Sequence, residues 1–139
     1  MQKSVEVEFK TLLSKEEYER LMKQFEGNRM DLQTNHYFDT SRFSLKALDA
    51  SLRVRERESL ELTLKRKKGY IIQELNLPIS KEVFEEIKTT GILPEGELKN
   101  EVDNLIGNQK INNFLSLSTL RMFFSYNNGV LFIDKSQYL

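Results

Sequence analysis

Glu6, Glu8 and Lys10 alternate with Val5, Val7 and Phe9 near the start of the chain. A period of two with β-branched and aromatic residues predicts a strand with one apolar and one fully charged face. On a strand the two carboxylates project the same way about 7 Å apart, a spacing that suits one or two hard divalent ions held by oxygen ligands. The same pattern returns in Ser51-Leu52-Arg53-Val54-Arg55-Glu56-Arg57, where the arginines share one face, and in Leu60-Glu61-Leu62-Thr63-Leu64-Lys65, where Thr63, Lys65 and Lys67 oppose three leucines. Arginine grips phosphate oxygens bidentately and lysine acts as a point charge. Metal, carboxylates and basic side chains in one cavity are the ingredients of phosphoryl transfer or hydrolysis. One such strand alone reads as an ordinary solvated face; it is the recurrence that makes a shared cavity the better account.

The elements that must position these residues follow from local signals. Ser14-Lys15-Glu16-Glu17 is a capping box, opening a helix with Tyr18, Leu21, Met22 and Phe25 on one stripe and Gly27 as its stop. The first strand is expected to run to about Leu13. Thr34 to Thr40 reads as a strand closed by a turn at Asp39-Thr40-Ser41. His36, the one histidine, sits there among aromatics and reads as a packed residue rather than a base. Phe43 to Leu48 is expected to be a short strand or turn. Ala50 to Lys68 is a hairpin turning at Glu58-Ser59, and after Gly69 a strand from Tyr70 to Leu77 carries Glu74. Ser80 caps a second helix with Val83, Phe84 and Ile87 inward and Gly91 as its stop. Leu98, Val102, Leu105 and Ile106 mark a third helix ending at Gly107. Phe114 to Tyr126, carrying Thr119, Arg121 and Phe123 on one face, and Val130 to Asp134 are strands joined at Asn127-Asn128-Gly129.

Helices with apolar stripes need apolar strand faces to cover, so the helices are expected outside the sheet. The charged faces then look at one another across a sheet curled toward a barrel with a polar lumen. Several cations in such a lumen are reasonable if its occupant is a polyanion, and unfavourable otherwise.

Composition narrows the alternatives. The chain has 139 residues, enough for one domain with a real core, and its 21 basic and 21 acidic residues cancel. There is thus no global basic field for nucleic acid, and any anion site is local. The absence of cysteine excludes disulfides, thiolate metal sites and a cysteine nucleophile, and is compatible with the cytosol. No apolar run approaches membrane-spanning or signal-peptide length, so a soluble cytoplasmic protein is expected.

The ordered set Glu6-x-Glu8-x-Lys10, Tyr37-Phe38-Asp39-Thr40, Leu52-Arg53-Val54-Arg55, Leu62-Thr63-Leu64-Lys65, Arg121 and Ile133-Asp134-x-x-x-Tyr138-Leu139 resembles the CYTH domain of the triphosphate tunnel metalloenzymes, particularly small bacterial members labelled adenylate-cyclase-like. The resemblance spans residues 1–139. It implies an α+β fold in which an antiparallel β-barrel, eight-stranded in the family and about six-stranded and open here, carries helices outside. It implies Glu6, Glu8 and Lys10 as catalytic residues, with Mg²⁺ or Mn²⁺ held by Glu6, Glu8 and Asp134. Lys10, Arg53, Arg55, Lys65 and Arg121 would bind phosphate, with Glu74 in support and Arg57 and Lys67 at the tunnel mouth or in solvent. The implied reaction is hydrolysis of a triphosphate, inorganic or small organic such as thiamine triphosphate. Adenylate-cyclase chemistry on ATP and non-catalytic polyphosphate or nucleotide binding are the alternatives. Family members continue past the Asp-x-x-x-Tyr-Leu segment into a strand with a second Glu-x-Glu, which this chain lacks; the expected result is an open edge that a second copy could pair with. Neither nucleic acid nor membrane is an expected partner.

Overall fold

The computed structural model describes residues 1–24, 29–126 and 129–139, apart from the side chains of Phe124 and Tyr126. Seven strands form one antiparallel sheet: β1 (Gln2–Val7), β2 (Met30–Thr40), β3 (Ala50–Glu56), β4 (Leu60–Lys68), β5 (Ile71–Ile79), β6 (Ile111–Tyr126) and β7 (Gly129–Tyr138). They lie in the order β1-β5-β4-β3-β2-β6-β7, so β1 and β7 are the two edges. The sheet curls into an open half-barrel, one strand richer than the expected six, with α1 (Lys15–Gln24), α2 (Ser44–Ala47), α3 (Lys81–Thr90) and α4 (Glu97–Ile106) as its helices.

The period-two leucines and valines decide which side the helices take. Leu52, Val54, Leu62 and Leu64 lie on the convex face and are fully buried with Phe84, Ile87, Leu98, Val102 and Ile106 of α3 and α4. Ser80 caps α3 by accepting from the Val83 amide at 3.2 Å. Gly91 ends α3 in a left-handed conformation and lies so close to β6 that a Cβ there would meet the Ile111 carbonyl oxygen at 2.5 Å. A second, smaller cluster joins Met122 and Ile133 of β6 and β7 to Tyr18, Leu21 and Met22 of α1. The capping box forms as expected: the Ser14 amide donates to Glu17 at 2.9 Å, and the Glu17 amide donates to the Ser14 hydroxyl at 3.1 Å. Phe25 and Gly27, assigned to the same helix, and Asn127-Asn128 of the terminal hairpin lie outside the described residues.

Two local expectations are corrected. The first strand stops at Val7 instead of Leu13, because its single partner begins at Ile71; one further bond, from the Glu8 amide to the Tyr70 carbonyl at 2.9 Å, ends the ladder. Val5 and Val7 remain 68% exposed, so the apolar face of this edge strand is not covered as the convex faces of β3 and β4 are. The segment after Phe43 is neither strand nor simple turn: it forms the one-turn helix α2, because the buried Asp39 carboxylate accepts from the Leu45 and Lys46 amides at 3.0 and 3.1 Å, and from Thr40 at 2.7 Å. No helix is long and apolar enough to cross a membrane among the described residues.

Candidate functional site

The strand registers gather the charged faces on the concave side. Arg53 pairs with Thr63 and Tyr37, Arg55 with Asn35 and Glu61, and Lys65 with Glu74 and Ser51. On β6, Thr119 pairs with Gln33 and Ser136, and Arg121 with Asp31 and Asp134. Partners across a ladder present their side chains to the same face, so every one of these residues faces the hollow of the half-barrel. The curl is tight enough for Glu8, just beyond the edge strand β1, to act electrostatically on Arg121 of β6, although four strands separate them in the sheet.

Two kinds of cation occupy this face. Lys65 and Arg121 are neutralised. The Lys65 ammonium lies 3.6 Å from Glu74 and 3.9 Å from Glu8, and the Glu74 carboxylate also accepts from the Ser4 hydroxyl at 3.4 Å. Arg121 forms a bidentate pair with Asp134 at 2.7 and 2.8 Å, which raises its pKa further. Arg53 and Arg55, in contrast, have no carboxylate within ion-pairing distance among the described residues. Arg53 is only 7% exposed, and its Nε is buried without a hydrogen-bond partner. Arg55 donates to the neutral Asn35 side chain at 3.0 Å. Burial, with the neighbouring Arg53, Arg121 and Arg57, pushes the Arg55 pKa down to about 10. Burial and then Arg53 push Lys65 below its ordinary value, against the opposing pull of Glu8 and Glu74.

A surface built this way has a deficit of negative charge at its centre. Unpaired buried cations are costly in isolation, and a planar guanidinium with free donors matches the oxygens of a phosphate. Neutral donors and acceptors fill the floor between the arginines: Thr63 donates to Asn76 at 2.7 Å, the Thr119 and Ser136 hydroxyls are hydrogen-bonded at 2.7 Å, and Gln33 is 2% exposed with an unpartnered Nε2.

The carboxylates are placed less compactly. Glu6 is exposed on the concave face of β1, opposite Ile72, and Glu8 is partly buried between Lys65 and Lys10, whose ammonium lies 3.4 Å away. Asp134 spends both oxygens on Arg121. No group of three metal-binding side chains converges among the described residues. A Mg²⁺-type ion needs only one or two carboxylates, with water and phosphate oxygens completing its shell instead of an all-protein cage; Glu6 has no ion pair among the described residues, whereas the two Glu8 oxygens face Lys10 and Lys65.

His36 faces the convex side. It contacts Ser116 at 2.8 Å and Glu56 at 3.1 Å, and its ring packs 5.0 Å from that of Phe84. It is a packed residue, as its surroundings in the sequence suggest. Arg57 lies at one end of the groove, 3.4 Å from Asp31 and with its side chain 43% exposed. Asn35, Gln33 and Asn76 belong to the concave face but were not singled out by sequence. The period-two pattern of β2 carried the signal for Gln33 and Asn35, since both share parity with Tyr37.

The CYTH domain model matches residues 4–139 of the chain. The chain is 34% identical to the Bacillus subtilis protein named "Putative triphosphatase YjbK", spanning all of this chain and 74% of that one. It is 36% identical to a crystallised Bacillus halodurans protein described as a "putative adenylate cyclase", with a TM-score of 0.88 over all of this chain and 76% of that one. The fold also matches the Hippeastrum protein HpAC1, an adenylyl-cyclase-like protein described as having a dominant triphosphatase activity, with a TM-score of 0.71 and 18% identity over 91% of this chain and 70% of that one. The half-barrel, its cation-lined hollow and the match over nearly the whole chain agree: the chain belongs to the CYTH domain family.

Proposed function

We propose that this chain hydrolyses a triphosphate held on the concave face of the half-barrel, in a reaction that depends on a divalent cation. The observation that carries this reading is the pair Arg53 and Arg55, a buried and a half-buried cation without carboxylate partners among the described residues, at the centre of a concave polar surface. A triphosphate supplies the negative charge and the acceptor oxygens they lack. The relative named as a triphosphatase supports the same substrate class.

In this reading Arg53 and Arg55 grip the non-bridging oxygens, and Arg121 does so from the facing strand with Asp134 fixing its orientation. Lys65, held between Glu8 and Glu74, places a point charge along the chain, and Lys10 reaches the same phosphates from beyond the end of β1. Glu6 and Glu8 would hold a Mg²⁺ or Mn²⁺ ion, which would supply neutralisation of the charge developing on the phosphates. Asp134, paired with Arg121 on the same concave face, would be the third carboxylate of this set. A water oxygen bonds to the terminal phosphorus as the bridging P–O bond breaks, the electron pair leaving with the bridging oxygen and the water's proton passing to solvent; from tripolyphosphate the products are orthophosphate and pyrophosphate. The cations hold the three phosphates in line for this displacement and stabilise the leaving anion.

The test is phosphate release from tripolyphosphate, thiamine triphosphate and ATP with and without Mg²⁺ or Mn²⁺, for the wild-type chain and for Glu6→Gln. Metal-dependent release that Glu6→Gln abolishes without lowering thermal stability is expected. Full activity in Glu6→Gln would sink the metal assignment. A second reading, polyanion binding without turnover, is favoured by the lack of a three-carboxylate cluster among the described residues. Its signature is calorimetric binding of tripolyphosphate with no release under any metal. Formation of cyclic AMP and pyrophosphate from ATP would instead mark cyclase chemistry.

A further inference from the structure

A hollow of about 230 Å³ opens at the end of the groove opposite Arg57. Its charged lining is Lys10, Lys46, Lys65 and Lys67 against Glu8 and Asp49. Glu8 is already shared by Lys10 and Lys65. Lys46 and Lys67 have no ion pair among the described residues, so the hollow carries surplus positive charge. Among the described residues no aromatic side chain lines it, and its apolar residues are Ala50 and Ile72.

The backbone around Lys46 is built with some cost. Phe43 and Asp49, neither of them glycine, have φ of 55° and 53°, bracketing α2 with left-handed residues. Such conformations persist where the surroundings over-determine them, and they concentrate at functional sites. Here the determinants are the buried Asp39 carboxylate, which caps the Lys46 amide, and the Lys67 amide, which donates to the Asp49 carbonyl at 2.9 Å. The first bond ties the segment bearing Lys46 to the end of β2, and the second ties it to the strand bearing Lys67. Register gives the direction: Lys65 pairs with Ser51, one side-chain step beyond Arg53, and Lys67 lies one step farther along the same face. By the strand rise, those steps carry positive charge about 7 and 14 Å past Arg53.

We propose that this lysine-lined mouth is a further anion subsite that holds phosphates beyond the triphosphate gripped by the arginines, so that the site takes linear inorganic polyphosphate chains of four or more units. The inference rests on the triphosphate-binding reading above. Among the described residues the lining of the mouth offers a nucleobase or thiamine ring no aromatic side chain, the exposed Phe9 and Tyr70 pair lying outside it, whereas additional phosphates find Lys46 and Lys67 unneutralised.

The experiment is calorimetric binding of tripolyphosphate and linear tetrapolyphosphate, without metal, to wild type, Lys46→Ala, Lys67→Ala, the double variant and Lys46→Arg. Wild type is expected to prefer the longer chain, and each alanine to weaken that preference by about fivefold, the upper end for an exposed ion pair. Lys46→Arg should keep it. A preference that survives unchanged in the double variant, or no preference in wild type, overturns the subsite. The underlying reading fails separately: it falls if wild type binds neither chain, or if Arg53→Met leaves tripolyphosphate affinity unchanged.

Discussion

Replacing Arg53 by methionine separates a residue kept for the fold from one kept for an anion. Arg53 is 7% exposed, its Nε lacks a partner, and no carboxylate among the described residues pairs with it. It projects from the same face as Arg55 two residues along β3, about 7 Å away, so at an effective dielectric constant of about 20 their mutual repulsion is roughly 2 kcal/mol. Methionine keeps most of the apolar stem and removes the charge. Ligand-free stability should therefore stay level or rise by up to about 2 kcal/mol, which for a chain of this length is about 7 °C in Tm. Binding should move the other way: losing charge-assisted hydrogen bonds worth about 1.5–3 kcal/mol weakens tripolyphosphate roughly ten- to a hundredfold. Thermal unfolding of the free protein and titration calorimetry read the two effects independently. A fall in Tm of several degrees with unchanged affinity would refute the reasoning, because it would make Arg53 a structural residue satisfied by its own fold.

Asp39→Ala should destabilise the chain by about 3 kcal/mol, since it strands the Thr40, Leu45 and Lys46 amides, each costing about 1 kcal/mol or more; a urea midpoint within error of wild type would exclude the capping role. Gly91→Ala should cost about 2 kcal/mol or more, combining a left-handed φ of 72° with a Cβ 2.5 Å from the Ile111 carbonyl oxygen, and the same unfolding experiment measures it. Lys65 has a folded-state pKa below its ordinary 10.5, so the folded protein disfavours its charged form relative to the unfolded chain. Its destabilising effect on the ligand-free protein is present at neutral pH and lifts as pH rises through the lowered pKa toward 10.5. A bound polyanion favours the charged form, so tripolyphosphate affinity should fall over that same window and binding should take up protons there. Calorimetry in buffers of different ionisation enthalpy measures this uptake, and none at alkaline pH would count against Lys65 as a phosphate ligand.

The face of each strand is a local property, and it could be read directly from the chain. Alternation alone puts Arg53, Arg55 and Lys65 opposite Leu52, Val54 and Leu64, because the side-chain period of a strand is two whatever its neighbours. The capping box at Ser14 and Glu17, the Ser80 cap and the Gly91 stop are equally local, each resting on bonds within a few residues. The partners of those charges depended on tertiary structure, because register and curl join residues far apart in sequence. Only the β6–β7 register pairs Asp134 with Arg121. The end of β1 at Val7 follows from where its partner begins, and the curl of the sheet brings Glu8 to Lys65. Lys46 escaped sequence reasoning altogether, since its one-turn helix is held by a buried carboxylate and not by its own propensity. The chain's alternating pattern thus determined that a cation-lined face exists; the pairing of the sheet decided which of its cations remain free for a phosphate.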